Sequence, residues 1–224
     1  KNFKWKMITQ IPKIISAVQK EQKAIAKILE THKFDGIISD NRLGVYSKKV
    51  PSVFITHQLN VLTGSTSWIT TKIHSKYIQK FNECWVPDVE KSPNLSGKLG
   101  HPTELIKNVK YIGPLSRLCK KPVPIVYDLM VLLSGPEPQR TILEEKIISE
   151  LENYSKKVVF IKGVVQKEQI KEQIDNITFY NFMNSNELED AFNKSNFILC
   201  RSGYTTVMDL AKLGKKAIFI PTPG

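Results

Sequence analysis

The sequence is poor in the features that would place it outside a cell or inside a bilayer. Three cysteines in 224 residues, Cys84, Cys119 and Cys200, are too scattered for a disulfide framework and lack zinc-ligand spacing. That usage points to a reducing, cytoplasmic compartment. No apolar run approaches the ~20 residues of a membrane-spanning helix. No signal peptide is visible, and the first residue is Lys rather than Met, so further sequence is expected at the start. Aromatic residues are 9% of the chain and do not interleave with the basic ones. Nucleic acid therefore ranks behind other anionic partners, and no nucleic-acid role is expected. Histidines and cysteines do not cluster, and no Asp-x-Asp follows a buried strand. The nearest approach, Asp88-Val89-Glu90, reads as a loop. The expectation is no metal site and no cofactor.

Acidic residues are also scarce. The net charge is +12, and nearly all of the basic surplus falls in residues 1–114. A lysine-rich solvated surface explains that surplus. So does a first half that meets a membrane face or a phospholipid-linked substrate.

What is present is an alternation of short apolar runs with helical periodicity. Ile11, Ile14, Ile15, Val18, Ile25, Ile28 and Leu29 are spaced as one face of a helix over 11–30. Residues 34–38 and 51–55 read as buried strands ending in Ser39-Asp40-Asn41 and Thr56-His57-Gln58. A helix covers 67–81, and strands follow at 84–86 and 109–113. Residues 114–126 contain three prolines, and 115–126 reads as a linker. The alternation then restarts, with strands at 128–134, 157–162, 177–182, 197–201 and 216–221. Helices are predicted at 138–154, 166–174, 186–194 and 205–213. Unalternating apolar strands separated by helices indicate parallel sheets covered on both faces. The fold class is α/β, with two Rossmann-like parallel-sheet domains facing a cleft and a chain that reads as truncated at both ends. The domains are 1–114 and 127–224, each partial, joined by the linker.

Strand ends carry the chemistry in such sheets. The strand–turn–helix of residues 197–213 leaves backbone N–H groups converging near Arg201-Ser202-Gly203, an arrangement suited to phosphate. Thr205 and Thr206 bind phosphate or cap the helix. Asp209 accepts ribose hydroxyls or serves as a helix acid, and Arg201 pairs with phosphate or with a carboxylate. Ser134 and Gly135 follow another buried strand, where the backbone can approach a ligand or simply turn. In the first half, His57 and Asp40 stand at strand ends as a candidate base and its partner, or as loop anchors. His32, His74 and His101 read as surface residues.

The segment ILCRSGYTTVMDLAKLGKKAIFIPTPG (198–224) resembles the donor site of GT-B-type glycosyltransferases, of the family 28 C-terminal-domain type that includes the N-acetylglucosaminyltransferase of peptidoglycan synthesis. FDGIISDN (34–41), PSVFITHQLN (51–60), VKYIGPLSR (109–117) and LMVLLSGPEPQ (129–139) match in the family's order. The resemblance implies a second half that binds the nucleotide sugar and a first half that binds the acceptor. Asp209 would meet the ribose. Ser202, Gly203, Thr205 and Thr206 would meet the diphosphate, Gly135 would line the cleft, and His57 matches a cleft-facing histidine. Asp209 stands where the family usually has Glu, with a shorter reach. The glycine-rich opening loop and the Gln-rich segment after Pro223 are not in the sequence.

The resulting expectation is an inverting, metal-independent hexosyltransferase using a UDP-sugar. Its acceptor would be anionic or lipid-linked, and the enzyme would lie peripherally on the inner face of a bacterial membrane. Two alternatives stand beside it: a nucleotide-sugar epimerase of the same fold, and a non-catalytic subunit that recruits a partner to the membrane.

Overall fold

In a computed structural model of the chain, residues 11–61, 67–103 and 106–221 are described. The expected proline-rich stop at 222–224 lies outside them. The chain divides into two units, Lys1–Gly113 and Pro114–Gly224.

Unit 1 opens with α1 (Ile11–Thr31), followed by β1 (Ile37–Asp40), β2 (Ser52–Ile55), α2 (Ser67–Ile78), β3 (Glu83–Val86) and β4 (Val109–Tyr111). The strands form one sheet in the order β1-β2-β3-β4, every pair parallel. All four carboxyl ends therefore lie along one edge. The apolar residues of α1 fall on one side, and Lys13, Lys20, Lys23 and Lys27 fall opposite, which is the amphipathic pattern read from sequence. Gln22 on α1 donates to the carbonyls of Gly44 and Tyr46, and the Gly44 amide donates to Glu21, so the helix is tied to the β1–β2 connection. Phe54, Leu59, Ile78, Phe81, Cys84 and Val86 form the core.

Unit 2 contains β5 (Tyr127–Leu132), α3 (Gln139–Leu151), β6 (Val158–Ile161), β7 (Lys171–Ile174), β8 (Ile177–Tyr180), α4 (Ser185–Lys194), β9 (Ser195–Arg201), α5 (Tyr204–Leu213) and β10 (Lys216–Ile220). The sheet order is β10-β9-β5-β6-β8-β7. All pairs are parallel except β7–β8. Successive strand residues serve opposite faces. Met130, Val159 and Ile198 pack with Phe192 of α4 and with Leu210 and Leu213 of α5. Val131, Val158 and Phe160 pack with Ile147 and Leu151 of α3. Helices thus cover both faces, as expected for a doubly wound sheet. β5 connects through α3 to β6 on one side, while β8 connects through α4 to β9 on the other side of β5. The carboxyl ends of β5 and β9 therefore meet at the topological switch point, where open α/β sheets bind ligands.

Two expectations are corrected. The helix predicted at 166–174 is in its second half strand β7, antiparallel to β8. Gln, Glu and Lys favour helix there, but Ile170 and Ile174 are the only apolar residues of the stretch, and both are exposed. Asp175-Asn176 makes a two-residue hairpin turn with Asp175 at φ 50°, which brings Ile174 opposite Ile177. The stretch expected as a linker has neither helix nor strand, yet it is packed against unit 2. Leu118 is 1% exposed within the core. The Cys119 amide donates to Glu189, and the Lys121 amide to Asn193.

Candidate functional site

The switch point of unit 2 gathers most of the residues singled out in the sequence. After β5, Gly135 turns at φ +108°, a conformation that side chains rarely adopt. A Cβ there would strike the Arg201 guanidinium. Arg201 is 5% exposed, and its Nη1 donates to the Ser134 carbonyl at 3.1 Å. In this structure the arginine ties the end of β9 to the loop after β5. Ser134, Ser202, Gly203 and Thr205 are exposed around it, with Thr206 half-buried. The Ser202 amide donates to Ile220, which carries the end of β9 against β10.

Two helices start here, and their first turns differ. At α3 the Glu137 carboxylate accepts from the Thr141 amide and hydroxyl and from Arg140 Nε. The favourable position for an anion at that N-terminus is already filled by the chain itself. Arg140 is held further by Glu144 and the Lys162 carbonyl. Helix α5 has Gly203 as its N-cap, no capping side chain and no acid in its first turn. The N–H groups that open a helix lie outside its own hydrogen-bond ladder and carry the positive end of its dipole. Thr205 and Thr206 lie in that first turn and are not the N-cap. Asp209 follows, half-buried, with Ser116 Oγ donating to its Oδ1 at 2.6 Å. Ser116 comes from the stretch expected as a linker, and its bond to Asp209 was not read from sequence. The only signal for it is its place inside the 109–117 match.

The end of β8 adds Asn181, 8% exposed. Its Oδ1 accepts from the Ile170 and Phe182 amides, while its Nδ2 donates to Gln166 and the Glu168 carbonyl. It thereby shapes the rim at 166–170. A cavity of about 300 Å³ lies between this rim and α3, lined among others by Arg140, Lys162 and Asn181.

In unit 1, Asp40 and His57 stand at the carboxyl ends of the neighbouring strands β1 and β2, whose register sets Asp40 beside Ile55. Burial lowers the pKa of His57 from its usual 6.5, and Asp40 opposes that shift. Asn41, at φ 54°, accepts from Thr56 Oγ1, which in turn accepts from the Gln58 amide. The edge is rigidly hydrogen-bonded around the half-buried histidine.

Two of the histidines read as surface residues are not. His74 packs its ring edge against Phe54, and burial lowers its pKa. His101 stacks on Tyr111 at 4.9 Å, with its ring nitrogens against the Gly97 and Val89 carbonyls. Aromatic neighbours distant in sequence cause both departures. The Cys84 and Cys200 thiols are buried and pushed up to about 12 and about 11 respectively, so neither is a nucleophile. Among the described residues no group of histidine, cysteine or carboxylate side chains could hold a metal ion, and no helix is long and apolar enough to cross a membrane.

Residues 138–224 match the glycosyltransferase family 28 C-terminal domain. The chain is similar to curated relatives described as UDP-N-acetylglucosamine–N-acetylmuramyl-(pentapeptide) pyrophosphoryl-undecaprenol N-acetylglucosamine transferases. One, from Haemophilus ducreyi, is 22% identical over 184 residues, covering 80% of this chain and 48% of the relative. Another, from Baumannia cicadellinicola, is 26% identical over 189 residues, with the same coverage. A third, from Sulfurihydrogenibium, is 33% identical over 94 residues, 42% of this chain and 26% of the relative. The chain thus spans about half the length of the first two. Among solved structures, the glycotransferase of kitacinnamycin superposes with a TM-score of 0.58 at 14% identity, covering 97% of this chain and 65% of that one. At that identity the likeness is one of fold.

Proposed function

We propose, from the premise that residues 138–224 carry a glycosyltransferase family 28 C-terminal domain, that the protein transfers a sugar from a UDP-sugar to an acceptor hydroxyl with inversion. The observation that carries this reading is the first turn of α5. It lies at the switch point, inside the matched segment, with neither a capping side chain nor an acid, whereas the neighbouring start of α3 is filled by Glu137. A diphosphate at α5 would meet the N–H groups of residues 204–206 and the Thr205 and Thr206 hydroxyls, with Ser202 and Gly203 beneath. Asp209 would accept from the ribose, and Ser134 and Gly135 would border the site.

In the proposed reaction the acceptor oxygen bonds to the anomeric carbon as the bond from that carbon to the β-phosphate oxygen breaks. The electron pair leaves with UDP, and the acceptor proton passes to a base. Negative charge grows on the diphosphate, where the dipole of α5 stabilises it without a metal. His57 is the proposed base. Burial favours its neutral ring, the form that can take a proton near pH 7, and Asp40 stabilises the cation that results. The excess of basic residues in the first half suits an anionic, lipid-linked acceptor and a peripheral position on a cytoplasmic membrane face. The N-acetylglucosamine donor and undecaprenyl-linked acceptor named for the relatives are the first pair to try.

The test follows UDP release by the full-length protein given UDP-N-acetylglucosamine, with and without an undecaprenyl-diphosphate-linked muramyl-pentapeptide. Release that depends on the acceptor supports transfer. Donor conversion without acceptor would instead indicate an epimerase, and liposome binding without any turnover a recruiting subunit.

A further inference from the structure

We infer that Ser116 is a positioning residue for Asp209 and sets the preference of the donor site for a ribose over a deoxyribose; this rests on the donor reading above. A serine hydroxyl has one proton, and a carboxylate can only accept. At 2.6 Å that proton is on the line to Asp209 Oδ1. The hydroxyl's own acceptor side is used by the Leu118 amide at 3.0 Å, so its orientation is fixed from both ends. Leu118 in turn is core, packed in the cluster that holds Leu210 and Leu213 of α5. The segment behind it is anchored to α4, with Asn193 donating to the Cys119 carbonyl and accepting from the Lys121 amide.

The carboxylate is therefore gripped by a second segment, 93 residues away in sequence. The bond takes one acceptor site of Oδ1 and leaves its second site and both sites of Oδ2. A carboxylate on a single methylene has a short reach. A charge-assisted hydrogen bond at its base compensates by fixing the direction in which it accepts. A ribose offers two hydroxyls to such an acceptor. Each deoxy sugar removes one and leaves a partly buried carboxylate oxygen unpaired, the situation that gives polar sites their discrimination.

The experiment measures dissociation constants of UDP, 2′-deoxy-UDP and 3′-deoxy-UDP by calorimetry on the full-length protein. Ser116→Thr and Ser116→Val are compared because they have the same shape and differ in the hydroxyl, and melting temperatures are recorded alongside. The wild type and Ser116→Thr should prefer UDP over at least one deoxy analogue. Ser116→Val should weaken UDP by roughly five- to tenfold and the disfavoured analogue little, so that the preference collapses. Adding Ser116→Val to Asp209→Ala should cause no further loss. The inference is overturned if Ser116→Val keeps the preference while its melting temperature falls, since the hydroxyl then only anchors the loop. It is equally overturned if the two losses add, or if the wild type binds all three nucleotides alike. A wild type that binds none of them defeats the donor reading itself, and this inference with it.

Discussion

At the residue scale the pair proposed to move the acceptor proton is His57 and Asp40. Both were legible in the sequence, because a polar residue following a short apolar strand must stand at the sheet's carboxyl edge. Their adjacency follows from β1 and β2 pairing in parallel. Ser116 was not legible. A serine among prolines carries no periodic signal, and its partner Asp209 is reached only through the packing of Leu118. His74 was misread for the same reason, since nothing local announces Phe54. His57 and His74 make stability depend on pH. Burial lowers both pKa values below 6.5, so the unfolded chain takes up protons at a higher pH than the folded one. Their contribution is complete above pH 6.5 and is lost as the pH falls through that value toward the folded pKa. Melting temperatures measured from pH 7.5 to 5.5 should fall for the wild type and fall less for His57→Gln. A steeper fall in the variant would contradict the neutral, half-buried ring.

At the scale of elements, the loop that closes unit 1 shows how one side chain can replace regular structure. Asp88 is fully buried and accepts from the amides of Val89, Leu95 and Ser96 and from the Ser96 hydroxyl. Burial alone would raise its pKa, but those donors outweigh it and hold the carboxyl below its ordinary range. The contribution is present above the ordinary carboxylate range and is lost as the pH falls through the lowered value. Asp88→Asn turns an acceptor into a donor against amide N–H groups. It should cost about 3 kcal/mol in urea unfolding at pH 7, with a smaller difference from wild type at pH 3. A cost below ~1 kcal/mol would mean that the loop holds without its carboxylate. In the sequence Asp88 read as an ordinary loop acid, because its four donors come from a turn that has no apolar period. Strand β7 is the complementary case. Its composition favours helix, and the Asp175-Asn176 turn signal that decides the matter was present but outweighed by the charged residues before it.

At the scale of the whole molecule, the parallel sheets of both units were readable from the alternation of unbroken apolar runs with helices. The order of strands in unit 2 was not, since sequence does not say to which side of β5 a crossover goes. That order gives the candidate site its meaning, for it places the loops after β5 and β9 together. The start of α5 has neither a capping side chain nor an acid, while at the start of α3 the Glu137 carboxylate, just before the helix, accepts from the Thr141 amide. Thermal unfolding of the full-length protein with UDP, GDP, dTDP and ADP, set beside Asp209→Ala, tests this most directly. A donor site at α5 requires that UDP stabilise the wild type, by about 2.7 kcal/mol at 100 times its dissociation constant, and that the variant lose most of that gain. Failure of every nucleotide to stabilise the wild type, or an undiminished shift in a well-folded Asp209→Ala, would contradict it.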